Sequence, residues 1–543
     1  MTSLLDHLVI MPILLPLATG ALLLFFDDRH RPIKAAISSI SALLLVIIAA
    51  ILVYRAGLVG AVDTEVTATY PLGNWPVPFG IVLVSDRLAA MLVLLAAILG
   101  LCAQVYSVAR WQAMGPSFHS LLHFLLMGLC GAFLTGDLFN LFVFFEVLLA
   151  ASYGLVLHGS GSARSKAGLQ YIAVNLAASS LFLIGAALIY GTTGTLNMAD
   201  IAGKVANIPA ADRGLFEAGA AILGVAFLVK SAIWPLGFWL TGTYAAASAP
   251  AAAVFAIMTK VGVYALMRLS LLVFGDAAGL SQGFGLTVLL YGGMITIAYG
   301  AISALAAQTT ARLSGSLVLV SSGTILAAVG IGNEGVLSGA LFYLFSSTLA
   351  ISALFLMVEL IERVRIEGAD ILAVTMEAYG DDEDDEAEGE VGVIIPGAMA
   401  ILAVSFAVCA MVLAGLPPLS GFLAKFVMIS PMLNPEGLAV ANDVSGPAWV
   451  LSSLLIVSGF AALIALVRTG INTFWATLAD APAAVRLIEI VPIVTLLVLC
   501  VAMAVMAAPL MGYMDAAAQA LYNPAGYIND VLAAPVVVSE VTP

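Results

Sequence analysis

The stretch 137-DLFNLFVFFEVLLAASYGLVLH-158 reads as a membrane-spanning helix with one ionisable group in its interior, Glu146. Counting from Asp137, a rise of about 1.5 Å per residue puts Glu146 roughly 13 Å along the helix. That is close to the middle of a hydrocarbon core about 30 Å thick. A carboxylate at that depth is costly and calls for a partner or a task.

The surrounding composition supports the membrane reading. Of 543 residues, 62% are hydrophobic and 10% charged, whereas about a quarter of the residues in a soluble domain are charged. Apolar runs of about twenty residues recur from end to end, without the short alternating segments of a β-barrel. The fold class expected is therefore an all-α polytopic membrane protein. Fourteen spans are expected, at 4–26, 33–54, 82–108, 119–136, 138–158, 167–190, 215–241, 248–273, 284–306, 312–331, 335–361, 394–431, 447–468 and 488–512. The twelfth is too long for one straight helix and is expected to be broken or tilted. The opening run has no basic n-region and is expected to be the first membrane helix and not a removed leader.

Charge distribution gives an orientation. With both termini outside, the inward loops hold Arg29, Arg31, Lys34, Arg110, Arg164, Lys166, Arg312, Arg363, Arg365, Arg468 and Arg486. The outward side holds only Arg55, Arg87, Lys204, Arg213 and Arg268. This excess of inward cations follows the positive-inside rule. Much of the net charge of −14 sits in 377-EAYGDDEDDEAEGE-390, which has no basic residue. That tract is expected to be a solvated cytoplasmic loop, with attraction of cations as the functional alternative. Cys102, Cys130, Cys409 and Cys500 stand singly in apolar runs, without metal-ligand spacing, and read as small buried hydrophobes.

Three lysines share the anomaly of Glu146: Lys230, Lys260 and Lys425 all lie inside apolar runs. One acid and three bases on four expected helices require mutual pairing or hydration. A static salt bridge between helices is one reading. The other is a relay of protonatable groups, in which a buried lysine changes its proton occupancy as its carboxylate partner approaches or recedes. Broken helices favour the relay. Pro235 follows Lys230, while Gly415, Pro417, Pro418 and Gly421 precede Lys425, and proline frees backbone carbonyls inside a helix. Paired interrupted helices in two halves point to inverted repeats with an ion site between them. The repeats expected are spans 4–8 (119–273) and 9–13 (284–468), between an N-terminal part, 1–110, and a C-terminal helix and tail, 488–543.

Other features carry less. Gly330, Gly332 and Gly335 match a dinucleotide fingerprint but lack the preceding strand. His119 and His123 are expected to be interfacial, with a metal pair as the alternative. Phe139, Phe142, Phe144 and Phe145 are expected to face lipid or fill space. Ser346, Ser347 and Thr348, with other hydroxyls of spans 10 and 11, form a possible proton wire, although such residues also allow close helix packing.

Four ordered stretches carry a resemblance: TGDLFNLFVFFEVLLAASYGL around Glu146, FLVKSAIWPLGFWL around Lys230, MTKVGVYALMRL around Lys260 and LAGLPPLSGFLAKF around Lys425. The chain resembles the antiporter-type subunits shared by respiratory complex I and Mrp multisubunit cation/proton antiporters. Within that family it is most similar to the Mrp D subunit, and it is expected to lack the long C-terminal additions of the largest members. The resemblance implies two half-channels. Glu146 would pair with Lys230, Lys260 would link the halves, and Lys425 would be the terminal donor. Separating Glu146 from Lys230 would then drive the lysine proton sideways. One departure stands out: Ser346 and Ile351 occupy positions where family members usually carry His and Lys, so the link from Lys260 to Lys425 is expected to use hydroxyls and water or to be impaired.

The function expected is proton conduction within a hetero-oligomeric Na+/H+ antiporter of the bacterial cell membrane. Its partners would be other membrane subunits, Na+, H+ and the lipid bilayer, with no nucleic acid, no cofactor and no redox or hydrolytic site in this chain. The alternatives are a proton-pumping subunit of a redox-driven, complex I-like or hydrogenase-type assembly, and a non-conducting scaffold.

Overall fold

The computed structural model describes residues 6–58, 67–379, 397–434, 444–474 and 485–534. The chain enters through α1 (Met11–Leu24) and α2 (Arg31–Leu58) and then forms a small antiparallel hairpin of β1 (Ala68–Pro71) and β2 (Val82–Ser85), with Ala68 opposite Ser85. The helices that follow are α3 (Arg87–Ala109), α4 (Phe118–Leu134), α5 (Leu138–Leu157), α6 (Ser162–Thr193), the short α7 (Met198–Lys204), α8 (Ala210–Lys230), α9 (Leu240–Ala246) and α10 (Ala249–Leu272). The second half comprises α11 (Leu286–Ala306), α12 (Thr310–Ile331), α13 (Glu334–Tyr379), α14 (Gly397–Ala414), α15 (Ser420–Leu433) and α16 (Gly446–Phe474). It closes with α17 (Leu487–Val505), α18 (Ala507–Tyr522) and α19 (Ala525–Leu532).

Ten of these helices, among the described residues, are long and apolar enough to cross a membrane. The protein is a polytopic α-helical membrane protein. Local capping sets several helix starts: the Asp86 carboxylate accepts from Ala89 N at 2.8 Å, and that of Asp137 from Asn140 N at 2.8 Å. Such caps satisfy amides that have no partner within the helix.

The centre is built on α10, whose apolar stretch is enclosed on every side by protein, with α12 and α13 packed against it. The periphery is the reverse. Ile40, Leu43 and Ile47 on α2, and Ile456, Val457 and Phe460 on α16, stand exposed, an arrangement that lipid solvates and water does not. Small residues bring inner helices close. A Cβ on Gly293 of α11 would lie 2.7 Å from the Gly323 carbonyl oxygen of α12, and one on Gly323 would lie 2.8 Å from that of Gly293.

Two interruptions matter most. α8 stops at Lys230 and helix resumes only at Leu240, with Pro235 in the gap; α14 stops at Ala414 and helix resumes at Ser420, with Pro417 and Pro418 in the gap. Each gap frees carbonyls that must be met inside the protein. Trp239 Nε1 donates to Val229 O at 3.3 Å in the first, and Lys425 Nζ to Ala414 O at 3.0 Å in the second.

Some sequence expectations need correction. The span expected at 82–108 starts as strand: Val82–Ser85 pairs with Ala68–Pro71, and helix begins only past the Asp86 cap. The first helix spans Met11–Leu24, shorter than 4–26. The last expected span, 488–512, is divided at Met506, beyond which α18 leaves as a separate helix. His119 and His123 are buried near the start of α4, bonded to Gln104 at 3.0 Å and to Ser38 at 2.9 Å. Lys34, expected in an inward loop, is buried on α2. The acidic tract lies, from residue 380 onward, outside the described residues.

Since a Cβ at Gly323 has no room, Gly323→Leu is expected to force α11 and α12 apart at about 1–3 kcal/mol, the usual overpacking cost. A lowered melting temperature of the purified protein in detergent checks this; an unchanged one contradicts the close approach.

Candidate proton-relay site

The four intramembrane charges lie on four elements: Glu146 on α5, Lys230 at the last position of α8, Lys260 on α10 and Lys425 on α15. Glu146 accepts a hydrogen bond from Ser179 Oγ of α6. The Lys230 ammonium is 5.0 Å from the centroid of the Phe145 ring and has no hydrogen-bond partner among the described residues. Glu146 and Lys230 therefore do not form the contact ion pair that the resemblance implies. The serine takes the carboxylate, and the Phe145 face holds the ammonium by a cation–π contact. Phe145 itself is clamped by Phe182 and Phe227, with ring centroids 6.2 and 6.0 Å away, so it packs the interior and does not face lipid. Of the four phenylalanines in this stretch, Phe139 is the exposed one.

Lys260 is fully buried, 0% exposed, and donates to Ser322 Oγ of α12 at 3.1 Å. From there hydroxyl pairs step across the second half. Ser321 of α12 lies 2.9 Å from Ser347 of α13, and Ser346 lies 2.7 Å from Ser420, the first residue of α15. Thr348 departs from the series: its hydroxyl bonds back to Leu344 O at 2.6 Å on its own helix. Ile351, where the resemblance implies a lysine, is buried among apolar side chains.

Lys425 lies five residues beyond Ser420 on α15. It lines a cavity of about 280 Å³ with Phe422, Phe426, Ile456, Gly459 and Phe460. Phe426, Ile456 and Phe460 are exposed, so this cavity opens on the lateral surface, in contrast to the sealed surroundings of Lys260. Gly459 makes room for the ammonium: a Cβ there would lie 2.7 Å from Lys425 Nζ.

Two charged clusters escape sequence reading. Arg268, eight residues beyond Lys260 on α10, forms a 2.6 Å ion pair with Asp86, and its guanidinium lies 5.4 Å from the Tyr264 ring centroid and 4.9 Å from that of Tyr527. At the other end, Glu359 of α13 accepts from Trp111 Nε1 at 2.7 Å and Arg363 at 2.7 Å, and Arg363 also reaches Glu489 at 2.7 Å. The signal for the first pair is an acidic cap at the start of one helix and an arginine inside another. Sequence spacing does not join residues so far apart in the chain.

The family model for NADH:quinone oxidoreductase/Mrp antiporter membrane subunits matches residues 135–444, more than half the chain and all four of these charges. The chain belongs to this family. A relative from Rhizobium meliloti, named as the D subunit of a probable K(+)/H(+) antiporter, is 57% identical over 98% of this chain and 99% of its own length. The D subunit of the Na(+)/H(+) antiporter of Alkalihalophilus pseudofirmus is 33% identical over 97% of this chain and 99% of its own. Among solved structures, a chain of the Mrp complex from Dietzia sp. DQ12-45-1b superposes with a TM-score of 0.79 at 24% identity, covering 98% of this chain and 100% of that one. A chain of respiratory complex I from Thermus thermophilus gives 0.70 at 22% identity, covering 95% and 99%. At these identities the two structures establish a shared fold. The full-length relatives thus lie in the family's antiporter branch, in line with the four motifs.

Removing one partner of a buried ion pair leaves an uncompensated charge, at about 3–5 kcal/mol. Asp86→Ala is accordingly expected to destabilise the protein by that order, and Asp86→Ala with Arg268→Met to recover most of the loss. Unfolding midpoints of the two variants check this; equal destabilisation by both would contradict it.

Proposed function

We propose that this chain is the proton-conducting D-type subunit of a multisubunit cation/H+ antiporter in the bacterial cell membrane. Its relay runs through Glu146, Lys230, Lys260 and Lys425. Fourteen crossings make up the proposed topology, with α8–α9 and α14–α15 each counted as one broken crossing and with both termini outside. Residues 119–273 and 284–468 are its two inverted half-channels. Other membrane subunits complete the assembly.

The observation that carries the relay reading is the row of contacts leaving Lys260. The Lys260–Ser322, Ser321–Ser347 and Ser346–Ser420 pairs cross from α10 through α12 and α13 to the break that holds Lys425. Each hydroxyl both donates and accepts, so a proton received on one side is released on the other, with water between neighbouring pairs. Serine at 346 thus serves where the family usually has histidine. In the first half, Lys230 without a hydrogen-bond partner among the described residues and Glu146 held by Ser179 support a switch whose two groups can stand apart. An approach of the carboxylate would hold the lysine proton, and its retreat would release it toward Lys260.

Protons flowing inward would drive a cation outward. If more protons than cations exchange, each extra charge gains about 2.3 kcal/mol per 100 mV of membrane potential. Sodium and potassium are the cations to weigh. The 57% identical relative is named for K+/H+ exchange and the 33% identical one for Na+/H+ exchange, and the higher identity favours potassium. The redox-driven alternative rests on the family model, which covers both kinds of assembly, and on the fold shared with complex I.

The test uses inside-out vesicles carrying the whole assembly, acidified inside, with a pH-sensitive dye reporting proton efflux on addition of K+ or Na+. Wild type is expected to respond and Glu146→Gln, at equal assembly, to fall to background. Equal responses would rule out Glu146 as a relay group. No response from intact wild-type complex to either cation would favour the redox-driven reading. Ser346→Ala, which breaks the contact to Ser420, is expected to slow the response without abolishing assembly; an unaltered rate would show that protons do not pass there.

A further inference from the structure

Four buried polar atoms near the first helix break have no hydrogen-bond partner among the described residues: Ser248 Oγ, Tyr244 Oη, Tyr153 Oη and Lys230 Nζ. Unpartnered buried polar atoms are uncommon, and ordered water is the usual remedy where space and several polar groups coincide. These four are not scattered. They lie at the α9–α10 junction, on α5 and at the end of α8, and aromatic rings connect the two tyrosines. Tyr153 meets Tyr171 at 5.2 Å between centroids, Tyr171 meets Trp239 at 5.2 Å, and Trp239 meets Tyr244 at 6.1 Å. The Tyr171 hydroxyl sits 2.8 Å from Ser152 Oγ, adding two polar groups between the orphans.

Both ends of this row have an address. Tyr244 lines a cavity of about 290 Å³ whose other walls include Arg110, Arg164, Glu359 and Arg363. The Arg110–Glu359 and Arg363–Glu359 ion pairs, 3.3 and 2.7 Å, brace that cavity, and Arg164 is held by Ala246 O at 2.9 Å and by the face of Trp111. Its charged lining makes it a place water occupies. At the other end, Tyr153 is seven residues beyond Glu146 on α5, hence on the same face and about 10 Å away. A tyrosine on a helix leans toward the helix N-terminus, which here is the direction of Glu146.

We propose that this tyrosine row is a water-filled proton path between the arginine-lined vestibule and the Glu146–Lys230 site, which makes Tyr244, Tyr171 and Tyr153 positioning residues for the water. The path rests on the relay reading above and adds a route by which the first half-channel exchanges protons with one side of the membrane. The asymmetry of basic residues makes that side the cytoplasm. No bond other than O–H is made or broken: each hydroxyl or water accepts one proton and passes on another. The flanking rings of Trp239 and Phe255, which packs on Tyr244 at 5.5 Å, keep the file narrow.

The experiment is X-ray hydroxyl-radical footprinting of the assembled complex, read by mass spectrometry, in parallel with the vesicle assay. Radicals formed from bound water oxidise adjacent side chains even when these are buried. Tyr153 and Tyr244 are expected to be oxidised faster than Tyr264, which is also enclosed but donates to Phe133 O at 2.9 Å. The double variant Tyr153→Phe, Tyr244→Phe keeps both rings and is expected to lose most of the cation-driven proton flux at normal assembly. In Tyr244→Phe alone, oxidation of Tyr153 is expected to fall, a change that loss of packing would not produce. Oxidation of Tyr153 and Tyr244 no faster than that of Tyr264 would overturn the path whatever the state of the relay. Wild-type flux in the double variant, with Glu146→Gln silent, would overturn the path and leave the relay intact. Full activity in Glu146→Gln would remove the path's terminus and overturn both, a failure located at the carboxylate and not at the tyrosines.

Discussion

In hydrocarbon, every backbone amide and carbonyl and every charge has to be satisfied by the protein itself or by water the protein admits. The architecture answers that requirement wherever it departs from plain helix. Where α8 stops, the Val229 carbonyl is met by the Ala232 amide and by the indole of Trp239; where α14 stops, the Ala414 carbonyl is met by the ammonium of Lys425. The second case is the more telling, because the group that caps the break is itself a candidate proton carrier. On the proposed relay, loss of that proton weakens the bond at the break, because a neutral amine donates less strongly than an ammonium.

The same constraint explains the depth at which the lysines are placed. Lys260 sits on α10, the helix most completely enclosed by protein, and its ammonium rests on the weakly polar hydroxyl of Ser322. Full charge neutralisation by a carboxylate would lock it, whereas a hydroxyl permits both protonation states. Arg268 on the same helix, paired with Asp86 at the cap of α3, is the contrast. A guanidinium never gives up its proton, and its carboxylate contact of 2.6 Å is that of a fixed structural bond. On the proposed relay, one helix carries a mobile charge at its centre and an immobile one toward its end, and the difference lies in the partner each is given.

Much of this is legible in the sequence. Glu146, Lys230, Lys260 and Lys425 stand out because a charge inside an apolar run is conspicuous on any scale, and Pro235, Pro417 and Pro418 because proline cannot continue a helix. The hairpin of Val82–Ser85 is not legible, since a short β-branched apolar run preceding a longer one reads as more of the same helix. Nor are the partners of His119 and His123: only the packing of α2 and α3 supplies Ser38 and Gln104 to them. Among the hydroxyls, Ser346, Ser347 and Thr348 look alike as a group, and only their rotation about α13 separates the two that reach neighbouring helices from the one that bonds back on its own.

By itself the sequence determined that the chain is helical and membrane-embedded, which residues violate the apolar pattern and where helices must break. These are properties of single segments, decided by local hydrophobicity and by the backbone chemistry of proline and glycine. Tertiary structure decided which violations meet. Glu146 turned to Ser179 and not to Lys230, Ser346 met Ser420, and Asp86 met Arg268 across most of the first half of the chain. The physical reason is that the bilayer drives each helix to insert but, being as apolar as the side chains it surrounds, says little about which face of one helix will pack on which face of another. Close approach at glycines and the pairing of buried polar groups make that choice, and both depend on residues far apart in the chain.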